Sequence, residues 1–89
     1  MVTMPRYFFD VHDGAVFTAD EIGVELDGIE AAREEAGKAL ERFARDLLRD
    51  GQPHEVVIEV RGEGGQRLLV AKLSATYEHT ELPGFSMVE

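Results

Sequence analysis

Apolar and polar side chains alternate with a period of two in three stretches of the chain, and recur with a period near 3.6 in a fourth. The first alternating stretch is residues 6–12. Tyr7, Phe9 and Val11 point one way, and Arg6, Phe8, Asp10 and His12 the other. Asp13-Gly14 follows, a type I′ hairpin signal, and residues 15–18 are expected to return as a second strand. A two-residue turn there pairs Val11 with Val16 and Phe9 with Thr18, and sets Asp10 opposite Phe17 on the other face. Residues 20–26 read as an irregular link in which Ile22, Val24 and Leu26 alternate as an extension of that strand. Asp27 has the place of a helix N-cap, with Glu30 at the spacing of a capping box.

The helical stretch is residues 28–50. Ile29, Ala32, Ala36, Leu40, Phe43 and Leu47 make one apolar stripe, with Leu40 and Phe43 expected among its best-buried members. Ala32, Ala36 and Ala39 allow close approach to a sheet. The outer face offers the opposite-charge pairs Glu34–Lys38, Glu41–Arg45 and Arg42–Asp46 at four-residue spacing. Gly51 and Pro53 stop the helix. Residues 55–61 alternate again, with Val56, Ile58 and Val60 on one face and Glu55, Val57, Glu59 and Arg61 on the other. Residues 62–65 are a glycine-rich loop. Residues 66–77 are a last strand with Leu69, Ala71, Leu73, Ala75 and Tyr77 on one side. A four-residue loop pairs Ile58 with Leu69, Val56 with Ala71 and Val57 with Val70, which gathers both apolar sets on one face. The expected fold is α+β, in the order β-β-α-β-β: a four-stranded antiparallel sheet with one long helix packed on one face. Residues 1–78 are expected to form a single domain and residues 79–89 a C-terminal tail.

Composition narrows the function. Eighty-nine residues suffice for one domain with a modest core. The 44% apolar and 30% charged content is that of a globular chain. No cysteine is present, which removes disulfides, thiolate metal sites and thiol nucleophiles together. Neither an apolar signal core at the N-terminus nor a span-length apolar run occurs, so a cytoplasmic protein without membrane insertion is expected. Eighteen acidic against nine basic side chains leave a net charge of −9. That charge repels phosphate and argues against nucleic acid, while it suits a basic protein partner.

Candidate chemistry is sparse. Asp10 and His12 share a strand face, the arrangement of a metal-binding or general-base pair. Their simpler reading is the solvent side of an edge hairpin. Asp20-Glu21-x-Gly23 lacks the ligand positions of a calcium loop. Gly62-Glu63-Gly64-Gly65 precedes a strand rather than a helix with a lysine, so it is a turn and not a phosphate loop. His54 and His79 stand isolated. Ser74 and Ser86 have no histidine-and-acid pattern around them. No catalytic residue and no cofactor are expected.

The opening Met4-Pro5-Arg6-Tyr7-Phe8-Phe9-Asp10-Val11-His12-Asp13-Gly14 resembles that of a family of short bacterial proteins, common in alphaproteobacteria, classed as a domain of unknown function. Asp20-Glu21-x-Gly23-x-Glu25-Leu26, the helix start Ala31-Ala32-Arg33-Glu34-Glu35-Ala36 and Val60-Arg61 before a glycine turn are similar to its later blocks. This resemblance implies a fold and no activity. A looser likeness joins a β-hairpin, Asp27-x-x-Glu30-Ala31, Ala36 and Leu40, and then Asp50-Gly51-x-Pro53, to the partial ribonuclease-H-like domain of HicB-type antitoxins. It implies a domain that masks a small basic toxin. That family's proline-rich block before the helix is missing here.

Two function classes follow. The first is a non-enzymatic protein-interaction or regulatory module, homodimeric or an antitoxin-like acidic partner of a basic protein. One helix covers one sheet face, and alternation puts Phe8, Phe17, Val57, Leu68 and Val70 on the other, an apolar surface expected to mediate a homodimer. A tail that folds back Leu82, Phe85 and Met87 is the intramolecular competitor for that face. The second class is a small metal-binding protein or metal-dependent hydrolase built on Asp10 and His12.

Overall fold

The computed structural model describes residues 4–50 and 54–77. It contains β1 (Arg6–Asp13), β2 (Val16–Thr18), β3 (Val24–Glu25), α1 (Ile29–Asp50), β4 (His54–Arg61) and β5 (Arg67–Ala75). The strands form one antiparallel sheet in the order β2-β1-β4-β5, and the short β3 also pairs with β1. The α+β architecture is the one the hydrophobic pattern predicts, with β3 as an additional strand. The expected tail lies outside the described residues. No helix among the described residues is long and apolar enough to cross a membrane.

The core forms between the helix and the central strands. Tyr7, Ala32, Ala36, Ile58 and Val60 make its buried cluster, with Phe9, Val11, Leu26, Ala39, Leu40, Leu69 and Ala71 packed against it. Two alanines at the centre of the helix face let the helix lie close to the sheet. They, with Leu47, are the buried residues of the stripe, while Leu40 and Phe43 are only half-buried and Ile29 is exposed. The expectation for Leu40 and Phe43 is corrected accordingly: the closest approach is at the alanines, and a side chain nearer the margin of the contact keeps part of its surface.

Both hairpin registers differ from expectation by two residues. Val11 pairs with Thr18, His12 with Phe17 and Asp13 with Val16. The turn is Gly14-Ala15 rather than Asp13-Gly14. Gly14 has φ +64° and Ala15 is not left-handed, the φ pattern of a type II′ turn. Asp13 stays in β1 because it pairs with Val56 across the sheet and its carboxylate meets His54. In the second hairpin Val60 pairs with Leu69, Ile58 with Ala71, Val56 with Leu73 and Val57 with Lys72. The loop is one residue longer than expected, closed by Gly62 N–H on the Gln66 carbonyl, and an irregularity between Val60 and Arg61 adds the second step. A shift of two leaves every side chain on its predicted face, because the strand period is two.

The helix start is also corrected. Gly28, not Asp27, precedes the first helical residue, and its carbonyl accepts the N–H of Ala32. Among the described residues Asp27 makes no capping hydrogen bond, and Glu30 turns forward to Arg33 at 3.0 Å. The helical ion pairs that form are Glu30–Arg33 and Asp46–Arg49, spaced by three. Glu34–Lys38, Glu41–Arg45 and Arg42–Asp46 do not close among the described residues, as befits exposed pairs that gain little from contact.

Candidate functional site

The face of the sheet away from the helix is built by alternate residues of four strands. From the registers, Phe17, His12, Val57 and Lys72 form one row across it, and Asp10, Glu59 and Val70 the next. Phe8 and Arg61 begin a third, with Leu68 beyond. All five residues of the expected interaction surface therefore share this face. Phe17 (54%), Leu68 (42%) and Val70 (44%) are exposed, and Phe8 and Val57 are half-buried. The apolar groups are not one continuous patch. An ionic band runs between the Phe8–Phe17 flank and the Leu68–Val70 flank.

That band is organised by Asp10, which is only 5% exposed. Arg61 donates from Nε to Asp10 Oδ2 at 2.7 Å and from Nη2 to Oδ1 at 3.3 Å. The same Nη2 donates to the Asp20 carbonyl at 2.8 Å, and the Asp20 N–H donates to Asp10 Oδ1 at 2.9 Å. The Asp20 carboxylate in turn accepts the N–H groups of Phe9, Ile22 and Gly23, each at 3.0 Å. Phe9 lies in β1 where the edge strand is interrupted between β2 and β3, so Asp20 supplies the acceptor that a continuous strand would have supplied. Arg61 also lies 4.8 Å above the Phe8 ring, a cation–π contact. Burial works to raise the Asp10 pKa, but the Arg61 guanidinium and the Asp20 N–H outweigh it and hold it below the ordinary carboxylate value. Asp20 is likewise lowered: against burial stand the three N–H donors and the Arg61 charge.

The link between β2 and β3 needs glycine at one point. Gly23 has φ +76°, and a Cβ there would lie 2.8 Å from the Phe8 ring and 2.9 Å from Arg6 Cγ. Arg6 closes the link from outside, donating to the Ile22 carbonyl at 3.0 Å and to Glu25 at 3.1 Å. Residues 20–26 are thus a structured excursion tied to β1 at both ends, rather than an irregular connection.

Asp10 and His12 do share the predicted face, but they serve different partners. Both Asp10 oxygens are engaged by Arg61 and Asp20. His12 lies against the Phe17 ring, with 4.5 Å between centroids, and 3.5 Å from Glu59. A metal at Asp10 would have to displace the guanidinium. Among the described residues no group of three or more histidine and acidic side chains is placed to hold a metal ion.

A second polar site has no counterpart in the sequence reading. His54, an isolated histidine in sequence, meets the Asp13 carboxylate at 2.5 Å on the helix side of the sheet. The pair lines an open groove of about 420 Å³ with Phe43, Asp46, Leu47 and Arg49. The groove exists because α1 lies over β4 and β5 and leaves the end of β1 uncovered. The 41 positions that separate the two partners conceal it from any local pattern.

The residues that build the Asp10 node come from three separated segments, 6–10, 20–25 and 60–61. Similarity searching matches no curated protein and no solved structure. The family described as a domain of unknown function, DUF6894, matches residues 6–74, most of the chain and all of the segments that build this node, and the protein belongs to that family.

Proposed function

We propose that the chain is a non-enzymatic protein-interaction or regulatory module that works as a homodimer through the open sheet face. Exposure of Phe17, Leu68 and Val70 on one surface carries this reading, since large apolar side chains gathered on a face mark association. Charge supports a second copy as the occupant. The whole chain is at −9, yet on this face the carboxylates of Asp10, Glu59 and Glu55 are matched by Arg61, Arg67 and Lys72 respectively, at 2.7, 3.3 and 4.0 Å. Two acidic copies repel least where each is locally neutral. A two-fold axis suits such a self-complementary contact.

The excess acid lies elsewhere, on the outer helix face and in the link, at Glu21, Glu25, Glu30, Glu34, Glu41 and Asp46. That surface stays available in the dimer for a basic protein, the role of an antitoxin-like partner. Light scattering on the full chain tests the face contact, with Phe17→Glu as the variant. We expect a self-associated chain whose mass halves on Phe17→Glu while circular dichroism keeps the α+β signature. A full-length chain that stays monomeric at high concentration would overturn the reading.

A further inference from the structure

Among the described residues only β4 flanks β5, so one side of β5 is a sheet edge there. The phase of the ladder shows which backbone groups face it. Gly14 donates its N–H to the carbonyl of Glu55, the residue opposite it in the β1–β4 register. Hydrogen-bonding direction alternates along a strand. Glu55, Val57 and Glu59 therefore turn their backbone groups toward β1, and Val56, Ile58 and Val60 toward β5. Their partners Leu73, Ala71 and Leu69 bond inward. Val70, Lys72 and Ser74 direct their N–H and C=O groups to the open edge.

Soluble proteins guard such edges with short strands, prolines, bulges or lysines. β5 is nine residues long and contains neither proline nor glycine. Its two cations are turned back over their own sheet: Arg67 to Glu59 at 3.3 Å and Lys72 to Glu55 at 4.0 Å. The strand also contains no acidic residue, in a chain with eighteen.

We propose that β5 pairs antiparallel with β5 of a second copy, about a two-fold axis at Ala71, to continue the sheet across both chains. This register uses the whole strand. Val70 meets Lys72 of the second copy, and Leu68 meets Ser74, through the outward-facing backbone groups. On the helix side Leu69 meets Leu73, and Ala71 meets its own counterpart. The alanine pair falls at a non-hydrogen-bonded position, where Cα atoms approach to about 4.5 Å and small side chains fit best. No like charges stand opposite each other, whereas an axis at Lys72 would oppose two lysines. The second copy is favoured over an unrelated strand because acid is absent from the strand and Leu69, Ala71 and Leu73 on the helix side each find an apolar partner. This contact is made by backbone at the edge and is independent of the face contact made by Phe17. The two together would generate a tetramer.

Amide hydrogen exchange read by NMR on the full chain, alongside light scattering, decides it. The expected result is a self-associated protein in which Val70, Lys72 and Ser74 amides are slowed by about 100-fold or more, as inward amides are. Lys72→Pro removes an N–H that the β4 ladder does not use, a position where edge strands tolerate proline. It should halve the mass. If that variant does not fold, exchange on the unaltered chain still gives the answer. A dimer with fast-exchanging Val70, Lys72 and Ser74 amides overturns the edge contact and leaves the face contact standing. A monomer overturns it whether those amides are fast or are slowed by residues 78–89 lying on the edge.

Discussion

Arg61 on β4 clasps Asp10 on β1 with two hydrogen bonds, and with the same Nη2 holds the carbonyl of Asp20 from the link beyond β2. One side chain thus joins three segments. Arg61→Ala leaves the Asp10 carboxylate buried without its cation. Breaking such a pair from one side is destabilising, though by less than for a fully buried pair because Arg61 itself keeps contact with water. A domain of this size has only about 5–15 kcal/mol in total. A urea midpoint unchanged in Arg61→Ala would show that Asp10 finds equivalent solvation without the guanidinium.

Acid should undo the same node. Asp10 and Asp20 both have folded pKa values below the ordinary carboxylate value. A depressed folded value means that the ionised form is favoured by folding. The corresponding stability is present above the unfolded pKa of about 3.9 and is lost as pH falls through the lower folded values. Denaturation midpoints should therefore stay level with respect to these groups above about pH 5 and decline below about pH 4. Asp20→Asn should flatten that decline. An unchanged acid slope in Asp20→Asn would assign the effect to other carboxylates.

Two glycine-to-alanine changes should have opposite signs. Gly23→Ala adds a methyl group into the Phe8 ring and Arg6 at a left-handed φ, and should destabilise by at least about 1 kcal/mol. Gly37 is exposed in the middle of α1 with nothing within 4 Å of an added Cβ. Gly37→Ala should stabilise by about 0.5–1 kcal/mol through helix propensity alone. Thermal melts of the two variants side by side test both; shifts of the same sign would refute one of the two assignments.

Leu47→Ala should cost more than Leu40→Ala. Leu47 is buried, and truncating a buried leucine costs about 2–5 kcal/mol. Leu40 keeps part of its surface in water, which lowers the loss for the same atoms removed. Asp27→Ala should be near neutral, within about 0.5 kcal/mol, since its carboxylate makes no capping hydrogen bond among the described residues. Equal costs for Leu47→Ala and Leu40→Ala in a denaturant series would place the helix differently on the sheet.

Much of this architecture is legible along the chain. Alternation sorted the side chains of residues 6–12 and 55–61 onto their faces, and the Ile29-to-Leu47 stripe located the helix. These are local consequences of two fixed backbone periods, so neighbours in sequence suffice to specify them. Face assignment survived even where register did not: Val57 opposes Lys72 and not Val70, yet remains on the predicted side. Tertiary structure alone decided what depends on residues far apart. Arg61 and Asp10 are 51 positions apart, and His54 and Asp13 are 41. Neither pair leaves a periodic trace, because a charge is placed by the partner that satisfies it once buried and not by its neighbours on the strand. The same holds for Asp20. As sequence it is an acid in a link, and only the gap between β2 and β3 makes it the acceptor for Phe9.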